Sequence, residues 1–305
     1  MIVVVCPGQG SQTPGFLSPW LEDPATAERA NELSEACGVD LVQHGTVSDA
    51  DTIRDTAIAQ PLIVAASILS LHALLDGAHT PVAAIAGHSV GEFAAAVGAG
   101  VLTSGDAMRL VALRGRAMAD AARQVQTGMS AVIGGEQDAV VAHLESLGLS
   151  PANYNGAGQI VAAGTLDALA QLKDTPPAGA RVIPLQVAGA FHTEFMTAAV
   201  QAVGAAAAQL SPADPSGLLW TNRDGTVVSS GRQALDLMVG QIASPVRWDL
   251  CMADFAARGV TGVIELCPAG ALVGLAKRAL PGVPTVAVKT PADLAAASEL
   301  LTASH

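Results

Sequence analysis

Aromatic side chains are scarce in this chain, with three Trp, one Tyr and five Phe in 305 residues. A core filled by large rings is thereby excluded. The packing must rest on Val, Leu, Ile and abundant Ala, which suits close approach of helices to a sheet. Charge is sparse too, at 14% of residues against about a quarter in ordinary globular chains. With 50% hydrophobic residues the sequence is neither disordered nor a coiled coil. What charge there is leans acidic, 15 Lys and Arg against 27 Asp and Glu, a net of -12. No basic block occurs, which speaks against nucleic-acid binding, because phosphate neutralisation dominates such affinity.

Cysteine is equally thin. Cys6, Cys37, Cys251 and Cys267 form no C-x-x-C pair and show no histidine at zinc spacing, so no metal site is expected. At this size no disulfide framework is needed, and reduced thiols in a cytoplasm are the default. The first basic residue is Arg29, and the opening apolar run Ile2 to Cys6 is too short for a signal peptide. The longest apolar stretch, Pro61 to Leu75, carries Ser67, Ser70 and His72 and falls short of the ~20 residues that span a bilayer. A soluble, cytoplasmic protein without membrane contact is the expectation.

What is present reads as alternating strands and helices. Ile2 to Cys6 is a continuous apolar run closed by Pro7-Gly8, as in a parallel strand covered on both faces. Helical patterns follow over 25–37 and 59–75, then a strand over 82–86 and helices from Glu92 and over 106–123. From about Gly128 to Ala188 the rhythm changes. Strand 129–133, helix 136–147, strands 151–155 and 159–163, helix 166–173 and strand 181–187 make a split βαβ, ferredoxin-like order. The α/β pattern resumes with strands near 218–221, 262–266 and 285–288. The expected fold class is therefore α/β, a hydrolase-like large domain with a parallel sheet core (1–127 and 189–305) plus an inserted ferredoxin-like small domain (128–188).

Gly87-x-Ser89-x-Gly91 sits between a predicted strand and a predicted helix. In a nucleophile elbow the serine occupies a sharp strained turn, where side chains two positions to either side would clash. The serine then stands at a helix N-terminus, where backbone N–H groups can stabilise a developing oxyanion. A nucleophilic serine needs a base. His88 points away on such a turn, and His72 reads as a satisfied core histidine. His44, His79 and His143 read as loop or solvated helix positions, and His305 is terminal. His192 follows a predicted strand end and precedes Thr193, a plausible N-cap for the helix of Phe195-Met196. The order Ser before His fits a hydrolase-like layout. The carboxylate that would complete a triad is missing from its usual place, which weighs against a plain esterase.

Ala107, Leu110, Val111, Arg114 and Met118 share one helical face, apolar apart from the arginine. A guanidinium turned toward a core requires an anion. Either a structural carboxylate pairs with Arg114, or a substrate carboxylate does, gripped by its planar fork. Pro7-Gly8-Gln9-Gly10-Ser11-Gln12 superficially resembles a dinucleotide loop. Thr13 holds the place of its third glycine and Pro14 follows, so the turn is better read as bringing backbone N–H groups against the serine.

Together these segments resemble the malonyl-CoA:acyl carrier protein transacylases, including the acyltransferase domains of polyketide synthases. Matching stretches are Pro7 to Gln12, Ala59-Gln-Pro61, Gly87 to Gly91, Arg114-Gly-Arg116, Gly158-Gln159, Ala190-Phe-His192, Gln241 with Pro245-Val246 and Trp248, and Glu265 with Pro268 and Gly270. The resemblance implies a malonyl group moved from malonyl-CoA to the phosphopantetheine thiol of acyl carrier protein through a malonyl-serine, for fatty-acid or polyketide synthesis. It implies Ser89 as nucleophile, His192 as base, and Arg114 as the carboxylate partner. The N–H groups of Gln9 and Val90 would form the oxyanion hole, Gln60 would line the pocket, and Gln241 would orient His192. Phe191 would favour malonyl over methylmalonyl. No tightly bound cofactor is implied, and a free-standing monomer is expected. Cys267-Pro-Ala-Gly270 departs from the more usual Gly-Pro-Gly. An acidic carrier would need a local basic patch on this acidic chain, with Lys277-Arg278 and Arg181 as candidates. A serine thioesterase or hydrolase, or the acyltransferase subunit of a malonate-using complex, are the competing readings.

Overall fold

The computed structural model describes residues 1–75 and 82–302; His79 and His305 lie outside them. Eleven strands appear among the described residues: β1 (Ile2–Cys6), β2 (Ala84–Gly87), β3 (Thr127–Gly134), β4 (Ser150–Gly156), β5 (Gln159–Thr165), β6 (Ala180–Pro184), β7 (Leu218–Trp220), β8 (Val227–Val228), β9 (Val246–Arg247), β10 (Gly262–Glu265) and β11 (Thr285–Ala287). Six make one sheet in the order β11-β10-β1-β2-β7-β8. Every pairing in it is parallel except β7 with β8. The β1 run is buried along its whole length. Val3 and Val5 face one apolar cluster, Ile2, Val4 and Cys6 the other, as a period of two requires for a strand covered on both sides.

The helix Thr56–Leu74 packs in the larger cluster. It is 19 residues long and, with the turn before Ala59, apolar enough by length and composition to cross a membrane. Its most apolar window is 78% buried inside the protein, so it serves as a core helix. Helix Ser104–Gln124 lies against it, with Ala107, Leu110, Val111, Arg114 and Met118 all buried. Its start is fixed by Thr103, whose hydroxyl accepts the Asp106 N–H at 3.0 Å.

The second sheet has the order β6-β3-β5-β4-β9. Strands β3 to β6, with helices Gln137–Ser146 and Leu166–Asp174 between them, pair antiparallel. The fifth strand, β9, comes from beyond residue 188 and adds in parallel to β4, through Asn153 opposite Val246 and Tyr154 opposite Arg247. The Arg247 guanidinium covers the Tyr154 ring at 4.5 Å and is held by Asp249 at 2.8 Å. Strand β6 is shorter than the expected 181–187. It ends at Pro184, and Leu185 still donates to Met129 O at 3.0 Å. Helices Leu41–Thr46, Thr197–Ala207, Gly231–Gly240, Trp248–Ala257, Ala271–Ala279 and Leu294–Thr302 complete the architecture around the elements already expected.

Candidate active site

The elbow forms where β2 meets helix Gly91–Gly98. Ser89 carries φ 52, a left-handed backbone that ordinary residues avoid. The flanking glycines are obligatory. A Cβ on Gly87 would collide with the backbone of Gly91 and Glu92, and one on Gly91 with the carbonyls of Cys6 and Pro7. Asn222, just beyond β7, holds the turn from behind: its Oδ1 accepts the Ser89 N–H at 2.7 Å and its Nδ2 donates to Gly87 O at 2.7 Å.

His192 also has positive φ, 62, and is 5% exposed. Its Nε2 lies 2.8 Å from Ser89 Oγ. Its Nδ1 lies 2.7 Å from the main-chain oxygen of Gln241. A carbonyl only accepts, so Nδ1 carries the proton and Nε2 presents its lone pair to the serine. The contact to His192 is therefore made by the Gln241 backbone, and the Gln241 side chain turns elsewhere. Thr193 stands at the N-cap position, but its hydroxyl donates to Ala190 O at 2.6 Å instead of capping, and the turn it opens, Glu194–Met196, is a 3-10 helix ahead of helix Thr197–Ala207. Burial and the nearby Arg114 charge push the His192 pKa down to about 3.

Arg114 is 1% exposed. Its Nη1 donates to Gln60 Oε1 at 2.7 Å, its Nη2 to Gln241 Oε1 at 3.2 Å, and Nη2 approaches Ser89 Oγ at 3.5 Å. Nε has no partner among the described residues. Nor, among those residues, does any carboxylate come within ion-pair reach of it. Burial lowers the Arg114 pKa to about 10, with Glu92 opposing the shift. The guanidinium thus keeps one buried donor, Nε, without a partner among the described residues, and a second, Nη2, near the serine.

An open cleft of about 420 Å³ runs between the two sheets. Gln9, Gln60, Ser89, His192 and Phe191 line it, together with apolar Met129, Ala131, Val161, Leu185 and Val187. Arg114, Val90 and Gln241 stand behind this wall. Gln9 sits in the Gly-rich turn with its Nε2 3.4 Å from Thr56 Oγ1, and buried Val90 begins helix Gly91–Gly98. Lys277, Arg278 and Arg181 are exposed, and Arg278 reaches the cleft.

The side chains of the other described histidines have partners away from the serine hydroxyl or lie elsewhere in the fold. His88 is held by Asn155 Oδ1 at 2.9 Å and by the edge of Trp248, and burial lowers its pKa. His44 meets Ser48 and His143 meets Thr175 O. His72, expected in the core, is only half-buried. The four cysteines are buried and free. Among the described residues no group of three or more His, Cys, Asp or Glu could hold a metal.

Two site residues escaped the sequence reading. Asn222 left no local signal. Glu92 did leave one, as the single charge in an otherwise apolar helix, Gly-Glu-Phe-Ala-Ala-Ala-Val-Gly. It is 4% exposed, and burial raises its pKa to about 8 against the pull of its hydrogen bonds and of Arg114.

This arrangement has counterparts in known proteins. A malonyl CoA-acyl carrier protein transacylase of Mycobacterium bovis is 52% identical over 299 residues, covering 96% of this chain and 98% of that one. The crystal structure of MCAT from Mycobacterium tuberculosis superposes with a TM-score of 0.92 at 51% identity, covering 98% and 99% of the two chains. A type II PKS acyl-carrier protein in complex with its malonyl-transacylase offers a TM-score of 0.91 at 28% identity, over 98% and 99%. Residues 3–292, nearly the whole chain and all of the cleft, match the family described as the acyl transferase domain, and the protein belongs to that family.

Proposed function

We propose that the protein moves a malonyl group from malonyl-CoA to the phosphopantetheine thiol of an acyl carrier protein, feeding fatty-acid or polyketide synthesis. One observation carries the reading: Ser89 Oγ lies within 2.8 Å of His192 Nε2 and 3.5 Å of Arg114 Nη2. A nucleophile and its base thus meet at the cleft wall, with a guanidinium directly behind them.

The steps follow from that geometry. His192 Nε2 takes the Ser89 proton as Oγ attacks the thioester carbonyl. The N–H groups of Gln9 and Val90 receive the oxyanion. The C–S bond breaks, His192 passes its proton to the departing CoA sulfur and is neutral again, and a malonyl-serine ester remains. The carrier thiol then loses its proton to His192 and attacks the ester, and that proton returns to Ser89 Oγ. Arg114 binds the free malonyl carboxylate through both steps, in the two-bond manner a guanidinium favours. Gln60 fixes the guanidinium, and Phe191 narrows the acyl end. Hydrolysis is the competing fate of the ester, and the apolar walls from the small sheet keep water from it.

As further parts of this proposal, residues 1–127 and 189–305 form the catalytic lobe and 128–188 the small lobe. The protein works as a cytoplasmic monomer, and exposed Arg278 at the cleft edge, with Lys277 and Arg181, receives the acidic carrier. Intact-mass measurement after incubation with malonyl-CoA tests the reading. A gain of one malonyl group, discharged by holo carrier protein faster than by water, is expected. No adduct, or discharge that the carrier does not accelerate, would refute it.

A further inference from the structure

Gln241 is held in one orientation by groups whose own orientation is beyond choice. Asn222 is set by the backbone on both sides, since Oδ1 accepts the Ser89 N–H and Nδ2 donates to Gly87 O. Its Oδ1 therefore demands a donor from Gln241, and Gln241 Nε2 lies 3.0 Å away. At the other end Arg114 Nη2, which only donates, requires Gln241 Oε1.

Glu92 locks this arrangement. Its Oε1 accepts the Asn222 backbone N–H at 2.7 Å, and its Oε2 accepts Gln241 Nε2 at 2.5 Å. Both carboxylate oxygens thus face donors, so the site is built for an acceptor at each.

We propose that Glu92 is a positioning residue for the transfer: by holding Gln241 Nε2 it keeps Gln241 Oε1 on Arg114, and so aims the guanidinium at the acyl carboxylate. Glu92 does not itself reach the substrate. This inference rests on the malonyl-transfer reading given above.

Glu92→Gln keeps the shape and removes one acceptor. The backbone N–H of Asn222 cannot turn, so the new amide must give its oxygen to it and its NH2 to Gln241. Gln241 then either meets a donor with its own Nε2 or flips and turns NH2 toward the guanidinium. Either outcome disturbs Arg114. If Glu92 acted only as a counter-charge to Arg114, its removal would strengthen the field on a substrate carboxylate. The two accounts therefore predict opposite signs.

The test measures kcat/KM for malonyl-CoA and for acetyl-CoA, with holo carrier protein as acceptor. The wild type, Glu92→Gln, Gln241→Met and the double variant are compared. Gln241→Met removes the amide through which Glu92 is argued to act, so in that background Glu92→Gln should change the ratio no further. The malonyl-to-acetyl ratio should fall about tenfold in Glu92→Gln and in Gln241→Met, mostly through KM for malonyl-CoA, and no further in the double variant. An unchanged or raised ratio in Glu92→Gln would overturn the inference, as would an equal fall for both acyl groups or a double variant whose fall is the product of the two single ones. If Glu92→Gln did not fold, Gln241→Met alone would decide, an unchanged ratio there overturning the inference. Failure of both to fold would assign Glu92 to the fold and overturn the inference. Absence of malonyl transfer by the wild type would instead defeat the functional reading beneath it.

Discussion

Ser89 and His192 face each other across a 2.8 Å Oγ···Nε2 contact, and each sits on a left-handed backbone, at φ 52 and 62. Such conformations cost on the order of 1–3 kcal/mol in a residue with a side chain and persist only where the surroundings impose them. Here the surroundings are identifiable. Asn222 clamps the serine turn, and the His192 N–H is tied to Ile242 O at 3.2 Å. The strain holds an alcohol and an imidazole at transfer distance before substrate arrives.

Loss of the alcohol should therefore abolish the covalent step outright. Ser89→Ala is expected to show no malonyl adduct by intact mass, with kcat reduced by roughly 10⁴–10⁶ as for other nucleophile deletions. A variant that still gains the mass of one malonyl group would place the nucleophile elsewhere.

Arg114→Ala should separate acyl selectivity from chemistry. Without the guanidinium the malonyl carboxylate has no partner, while an acetyl group never needed one. The kcat/KM for malonyl-CoA should drop by about 10²–10³, the size of a lost charge-assisted contact, and acetyl transfer should rise relative to it. Parallel kinetics with the two thioesters read the ratio, and a ratio equal to that of the wild type would remove Arg114 from recognition.

Much of this was legible locally. The β1 run, the Gly-x-Ser-x-Gly turn and the stripe 107, 110, 111, 114, 118 each encode their environment within a few residues, because burial on two faces, a clash-free turn and a 3.6-residue period are local properties. The remainder depended on partners far away in the chain. Strand β9 is only Val246–Arg247 and exists through pairing with β4 and the Arg247–Tyr154 contact. The acceptor for His192 Nδ1 is a main-chain carbonyl, which any residue type supplies, so no sequence signal could mark it. Asn222 and Glu92 act through a network spanning 130 residues of sequence separation.

The pH dependence has a definite sign. His192 is held neutral in the folded protein, with its pKa lowered to about 3 by burial and by Arg114, whereas an unfolded histidine titrates near roughly 6.5. Below that value the unfolded state binds the extra proton first. Stability from this group is therefore complete above about 6.5 and is lost progressively as pH falls toward 3. Acylation by malonyl-CoA should show no acid limb near 6.5 assignable to His192, and stopped-flow CoA release between pH 5 and 8 checks this. A limb near 6.5 in the wild-type profile would contradict the buried, neutral imidazole.

The elbow glycines make the sharpest stability prediction, because their neighbours are backbone and cannot yield. Gly87→Ala forces a methyl into the peptide of Gly91 and Glu92, and Gly91→Ala forces one into the carbonyls of Cys6 and Pro7. Each should destabilise by roughly 3 kcal/mol or more, the upper range for overpacking. The matched control is Gly240→Ala. That glycine has helical φ -62 and open space around its would-be Cβ, so the same substitution there should stabilise by about 0.4–1 kcal/mol. Urea denaturation followed by far-ultraviolet circular dichroism compares the three. Equal midpoints for Gly87→Ala and Gly240→Ala would mean that the turn carrying Ser89 can relax, and that its strained backbone is not imposed by the packing of β1 against it.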